Sequence, residues 1–99
     1  KQSKGADIFY RNLKDRFQVF GLNDEQICKV ILDVFAILKR ETIIDWHKQA
    51  DTQREIKNKL DDFLYDEVKL NMDMDISNEE LTTMLDLIIN LALENHELF

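Results

Sequence analysis

The chain has no proline, two glycines and one cysteine in 99 residues, and no apolar run near the ~18 residues that a membrane span requires. An all-β fold would lack the residues that build its turns, so helices are favoured before any periodicity is counted. A single cysteine cannot form an internal disulfide. Cys28 falls on the flank of an apolar stripe, where a buried, inert thiol is expected, and a reducing cytoplasm suits it. The amino terminus lacks the charged-then-apolar order of a signal peptide. Positive charge is also scarce. Thirteen Lys and Arg face 20 Asp and Glu, and the net charge of −7 excludes a general attraction to nucleic acid or to an anionic membrane, though not a local basic patch. Gly5 and Gly21 stand alone, so no glycine-rich loop is present to cradle a phosphate.

What is present is 44% hydrophobic and 33% charged, a globular composition of a length that suits one domain over residues 1–99. The chain begins at Lys1 and the helical pattern is still running at Leu98 and Phe99, so a carboxy-terminal fragment of a larger protein is expected. Residues 22–38 organise the rest. At 100° per residue, Ile27, Val30, Ile31, Val34, Phe35, Ile37 and Leu38, with Cys28 and Leu32, cover more than half of a helical wheel. Such a helix has to be covered from more than one side.

The expected architecture is all-α, a compact four-helix domain with helices over residues 6–20, 24–40, 48–69 and 78–98 and a short extended, packed connector at 41–46. Residues 1–5 are expected to fray. Phe9, Leu13, Phe17 and Phe20, with Ala6 and Tyr10, form the stripe of the first helix, which Gly21 ends in a left-handed turn. Asn23 with Gln26, and Ser77 with Glu80, read as capping boxes for the second and fourth helices. Asp51 is a candidate cap for the third, whose buried stripe is Ile56, Leu60, Phe63 and Leu64. Arg54, Asn58, Asp61 and Tyr65 share its wet face, and Glu55 is spaced to pair with Lys59. The last helix is apolar over more than a surface helix needs. It either packs beside the second helix or meets something outside the chain.

Few residues are spaced for chemistry. Asp45, Glu55 and Lys57 have the residue types of a metal-dependent nuclease, but Glu55 and Lys57 fall on a charged helix, where a solvated face explains them. Asp73, Asp75, Ser77 and Glu79 alternate like calcium ligands, yet Asn78 stands where the loop needs glycine and Met84 where it needs glutamate. His47 and His96 have no cysteine or second histidine at zinc-ligand spacing. No catalytic, metal or cofactor residue is therefore assigned, and no enzyme is expected in this fragment.

The run Thr42-Ile43-Ile44-Asp45-Trp46, then a polar stretch, then Gln53-Arg54-Glu55-Ile56-Lys57-Asn58-Lys59-Leu60 and Phe63-Leu64-Tyr65, resembles the carboxy-terminal helical region of the type I restriction enzyme R subunit. With Gly21-Leu22-Asn23-Asp24-Glu25 before it, the similarity covers residues 9–65. Many relatives continue with a Tyr-Pro-Pro turn, whereas residues 66–76 here contain no proline.

The resemblance implies a parent subunit that is an ATP-dependent type I site-specific deoxyribonuclease, with its nuclease and motor domains elsewhere. It implies for this part a non-catalytic assembly role in the cytoplasm, docking the motor subunit onto the methyltransferase-specificity core. The expected partners are that core and the rest of the R subunit, with DNA secondary and no membrane. Candidate partner-binding residues are Trp46, Arg54, Asn58, Asp61 and Tyr65. An accessory DNA contact through Lys48, Arg54, Lys57 and Lys59, or a structural spacer, are the alternatives.

Overall fold

The computed structural model describes residues 4–99. Among them are four α-helices, α1 (Lys4–Val19), α2 (Asp24–Glu41), α3 (Ala50–Leu64) and α4 (Asn78–Glu94), and no strand. The all-α four-helix expectation is met. No helix among the described residues is long and apolar enough to cross a membrane.

Local sequence sets most of the helix ends. The Leu22 amide donates to the Phe17 carbonyl and the Gly21 amide to that of Gln18, while Gly21 takes a left-handed φ of 98°. This is the Schellman arrangement, closed by apolar Leu22 and Phe17, both buried. The Asn23 side chain accepts from the Gln26 amide at 2.8 Å, and the Gln26 side chain accepts from the Asn23 amide at 2.9 Å. Ser77 and Glu80 repeat the exchange at 3.1 and 2.9 Å. Each box satisfies two amides that a helix start leaves without partners. Ser77→Ala is therefore expected to cost about 1 kcal/mol, a fall of roughly 4–8 °C in Tm by thermal melting, whereas Ser77→Thr keeps most of the cap.

Helices α1 and α3 each pack against both α2 and α4, so the four close into a ring with α2 and α4 across a diagonal. The breadth of α4 follows from that position. Leu81, Met84, Leu85, Ile88 and Ala92 are buried, and Leu87, Ile89, Leu91 and Leu93 pack partly against the same core, serving two neighbours rather than α2 alone. On α2, Ile27, Val30, Ile31, Val34, Phe35, Ile37 and Leu38 are buried, but Leu32 is exposed and Cys28 is only partly buried. The expected buried thiol is thus corrected: α2 has neighbours on two sides, and the flank carrying Cys28 and Leu32 lies outside them.

Six boundaries also differ, those of the first helix's end and the second helix's end by a single residue each. Helix α1 begins at Lys4 rather than residue 6, and Gly5 in its first turn packs against the Phe35 ring so closely that a Cβ there would overlap it. Of the fraying expected for residues 1–5, residues 1–3 lie outside the described residues, and Lys4 and Gly5 are helical. The span expected as one helix over 48–69 is three pieces: a 3₁₀ turn (Trp46–Lys48), α3, and a π-helical stretch (Tyr65–Asn71). Asp51 is not the cap; Gln49 precedes α3 without a side-chain capping bond, and the Asp51 carboxylate accepts from Arg54 instead.

The π winding buries Val68 and lets Glu67 reach α2, where Lys29 donates to it at 3.1 Å and to Asp33 at 3.0 Å. Hydrogen bonds from Asn71 and then Lys29 hold the Glu67 carboxyl below its usual range, and those to Asp33 and Glu67 raise the Lys29 ammonium. Helix α4 stops at Glu94 rather than residue 98, because Asn95 turns its side chain back to the Leu91 carbonyl at 2.9 Å. A 3₁₀ turn (His96–Leu98) follows.

Candidate functional site

The connector after α2 is a corner rather than an extended segment. Glu41 is still helical, and the Thr42 hydroxyl and amide both donate to the Leu38 carbonyl, at 2.8 and 3.0 Å, which closes the helix. The Trp46 amide then donates to the Ile43 carbonyl at 3.0 Å, with Asp45 left-handed at φ 62°. Aspartate tolerates that conformation better than most side chains. This turn sends Trp46 inward, to 2% exposure, and leaves Ile43 and Ile44 outward at 56% and 87%. The expectation of a packed connector is corrected accordingly: one tight turn cannot bury both of its flanks.

Two contacts fix the corner. The Gln53 side chain on α3 donates to the Trp46 and His47 carbonyls at 3.3 and 2.9 Å. The His47 ring stacks on the His96 ring, centroids 3.8 Å apart and 8° from parallel. Beside them, Phe99 sets its ring edge-on to Trp46 at 6.3 Å and 5.2 Å from Phe35, within a cluster that includes Phe9. The Trp46 indole nitrogen is buried without an acceptor among the described residues, a cost of about 1–3 kcal/mol carried by the corner.

At this junction lies a groove of about 570 Å³. It is lined by Ile43, Ile44, Asp45 and Trp46 from the corner and by His96, Glu97 and Phe99 from the carboxy-terminal turn. Stacked imidazoles point their nitrogens along parallel planes rather than at a shared point. Among the described residues no three His, Cys, Asp or Glu side chains are grouped to hold a metal ion.

The polar face of α3 is separate in character. Arg54, Asn58, Asp61 and Tyr65 are all exposed, as the wheel predicts, but Trp46 contributes no surface to them. Arg54 donates to Asp51 at 3.2 Å. Asp61 and Tyr65 line a cleft of about 340 Å³ with Asp62, Asp66 and Asn78, and the Lys69 ammonium sits 5.5 Å from the centre of the Tyr65 ring. Of the alternative DNA-contact residues, Lys48 is exposed, Lys57 donates to Asp86 of α4 at 2.9 Å, and Lys59 shares a shallow groove with Glu41, Glu55 and Asp62. The Glu55–Lys59 pair is not among the ion pairs of the described residues. Asp45, Glu55 and Lys57 are not assembled into a nuclease-like set, since Lys57 serves the α3–α4 contact and Asp45 the corner groove.

The part of the site that sequence reasoning misses is the junction of the corner with His96, Glu97 and Phe99. No periodicity signals it, because the two segments are far apart in the chain and meet only when the ring of helices closes. The Ile43-Ile44 pair did carry a signal, as two bulky β-branched residues directly after a helix end and before an Asp-Trp step. Compared with protein-family models, curated proteins and solved structures, the chain matches none.

Proposed function

We propose that this chain is a non-catalytic docking domain, of the kind implied by its resemblance to the carboxy-terminal helical region of a type I restriction enzyme R subunit, where it would hold the motor and nuclease parts to the methyltransferase-specificity core in the cytoplasm. The observation that carries a protein partner over DNA is the state of three of the four candidate DNA-contact cations. Arg54 and Lys57 already meet Asp51 and Asp86, and Lys59 lies among Glu41, Glu55 and Asp62. Phosphate binding would have to displace or outweigh these carboxylates in a chain of net charge −7. The exposed face of Arg54, Asn58, Asp61 and Tyr65 offers guanidinium, amide, carboxylate and phenol groups, and Arg and Tyr are types that anchor protein interfaces.

The test is binding of the 99-residue chain to a purified methyltransferase-specificity core and to duplex DNA, each at ~50 and ~200 mM salt. Arg54→Ala and Tyr65→Ala are expected to weaken binding to the core roughly tenfold each. Their melting curves should stay within about 0.5 kcal/mol of the parent, as for exposed positions generally. Binding to bare duplex with a steep salt dependence, and none to the core, would replace docking with the DNA-contact reading. Binding to neither leaves the spacer.

A further inference from the structure

We propose that the corner groove takes an apolar segment of a partner protein that carries lysine or arginine beside its apolar side chains. This rests on the docking reading and names the chemistry of what docks. Exposed Val19, Leu32 and Leu70 are not neighbours in sequence, as single apolar residues on a surface commonly are not. Ile43 and Ile44 are adjacent, both exposed, and border a groove that Trp46 and Phe99 also line. An exposed apolar pair beside a groove suits a partner segment that contacts both.

The groove is also held in shape before anything binds. Trp46 is anchored in the core, Asp45 fixes the turn, Gln53 ties the corner to α3, and the His47–His96 stack joins the corner to the carboxy-terminal turn. A site already ordered loses little conformational freedom on binding.

Charge selects the occupant. Asp45 and Glu97 are exposed carboxylates that line the groove, one from the corner and one from the carboxy-terminal turn, and neither has an ion pair among the described residues. A cation on the incoming segment is attracted by both. A second copy of this chain, docked through the same patch about a two-fold axis, would bring the same carboxylates face to face, and nucleic acid would bring phosphates to them.

Trp46 is the chain's one tryptophan, so its fluorescence reports on the groove directly. The probes are a synthetic amphipathic helix of leucine and lysine and its counterpart with glutamate at every lysine position. The lysine peptide is expected to shift the Trp46 emission and to bind at least about tenfold more tightly than the glutamate peptide. Ile44→Ser should weaken it about tenfold, whereas Val19→Ser, an equally exposed apolar control, should not. A double variant, Asp45→Asn with Glu97→Lys, keeps a residue that accepts the left-handed turn and should reverse the preference between the peptides.

Equal losses in the Ile44 and Val19 variants would overturn the proposal. So would a lysine preference that survives the charge change, or sedimentation showing that the chain self-associates through Ile44. Should the chain bind the methyltransferase core with Ile44→Ser and the charge variant both without effect, the groove proposal fails and docking stands. Should the peptide results hold and the core not bind, the assignment of partner fails and the groove stands.

Discussion

Val34→Asp is expected to abolish cooperative folding at neutral pH. Val34 is fully buried at the middle of α2, a helix that packs against both α1 and α3. A carboxylate there would be unpaired, at a cost of several kcal/mol against a total stability of about 5–15 kcal/mol for a typical domain. The control is Leu32→Asp, two residues away on the same helix but 41% exposed. It changes the same helix by the same residue type and should cost only about 1 kcal/mol, mainly helix propensity and lost partial burial. Circular dichroism melts of the two variants separate burial from propensity. If Val34→Asp melts like Leu32→Asp, α2 does not hold the core together.

The second large effect is Trp46→Ala, expected to cost about 3 kcal/mol, the lower end of the usual range for removing a buried aromatic side chain. The lower end applies because the indole N–H has no acceptor among the described residues, so its removal relieves an unsatisfied group while the packing is lost. For a chain of this length the loss corresponds to a fall of roughly 12–24 °C in Tm. The damage should spread to the carboxy-terminal turn, since Phe99 loses the ring it packs against edge-on. Hydrogen exchange at the Phe99 amide, which donates to the His96 carbonyl at 3.1 Å, should rise more than at the Gln26 amide in the distant α2 cap. Trp46→Phe should recover part of the stability by refilling the space without the orphan donor. A Trp46→Ala variant that melts within 1 kcal/mol of the parent would mean that the corner is not built on this side chain.

Local chemistry alone specified the helix class, both capping boxes, the left-handed turn at Gly21 and most of the buried stripes of α1, α2 and α3, of which Tyr10, Phe20 and Phe63 are only partly buried and Leu32 is exposed. These depend on a few neighbouring residues: a side-chain oxygen and an amide three positions on, or a stripe repeating every turn, act the same way wherever the helix lies. The exposed set Arg54, Asn58, Asp61 and Tyr65 was legible for the same reason.

Tertiary packing decided the rest. The close packing of Gly5 on the Phe35 ring of neighbouring α2 depends on how the two helices meet, and the incomplete burial of Cys28 on which flanks of α2 its neighbours leave uncovered. Continuous helical periodicity through residues 65–69 gave no sign of the π winding that carries Glu67 to Lys29, a contact between distant segments. The same holds for the corner groove. Thr42 could end α2 on local grounds, but whether Ile43 and Ile44 face water, and whether His96 and Phe99 wall them in, is settled by closure of the ring that brings the end of α4 to the end of α2. Periodicity records which face of a helix is apolar; it carries no information about which distant segment will lie against it.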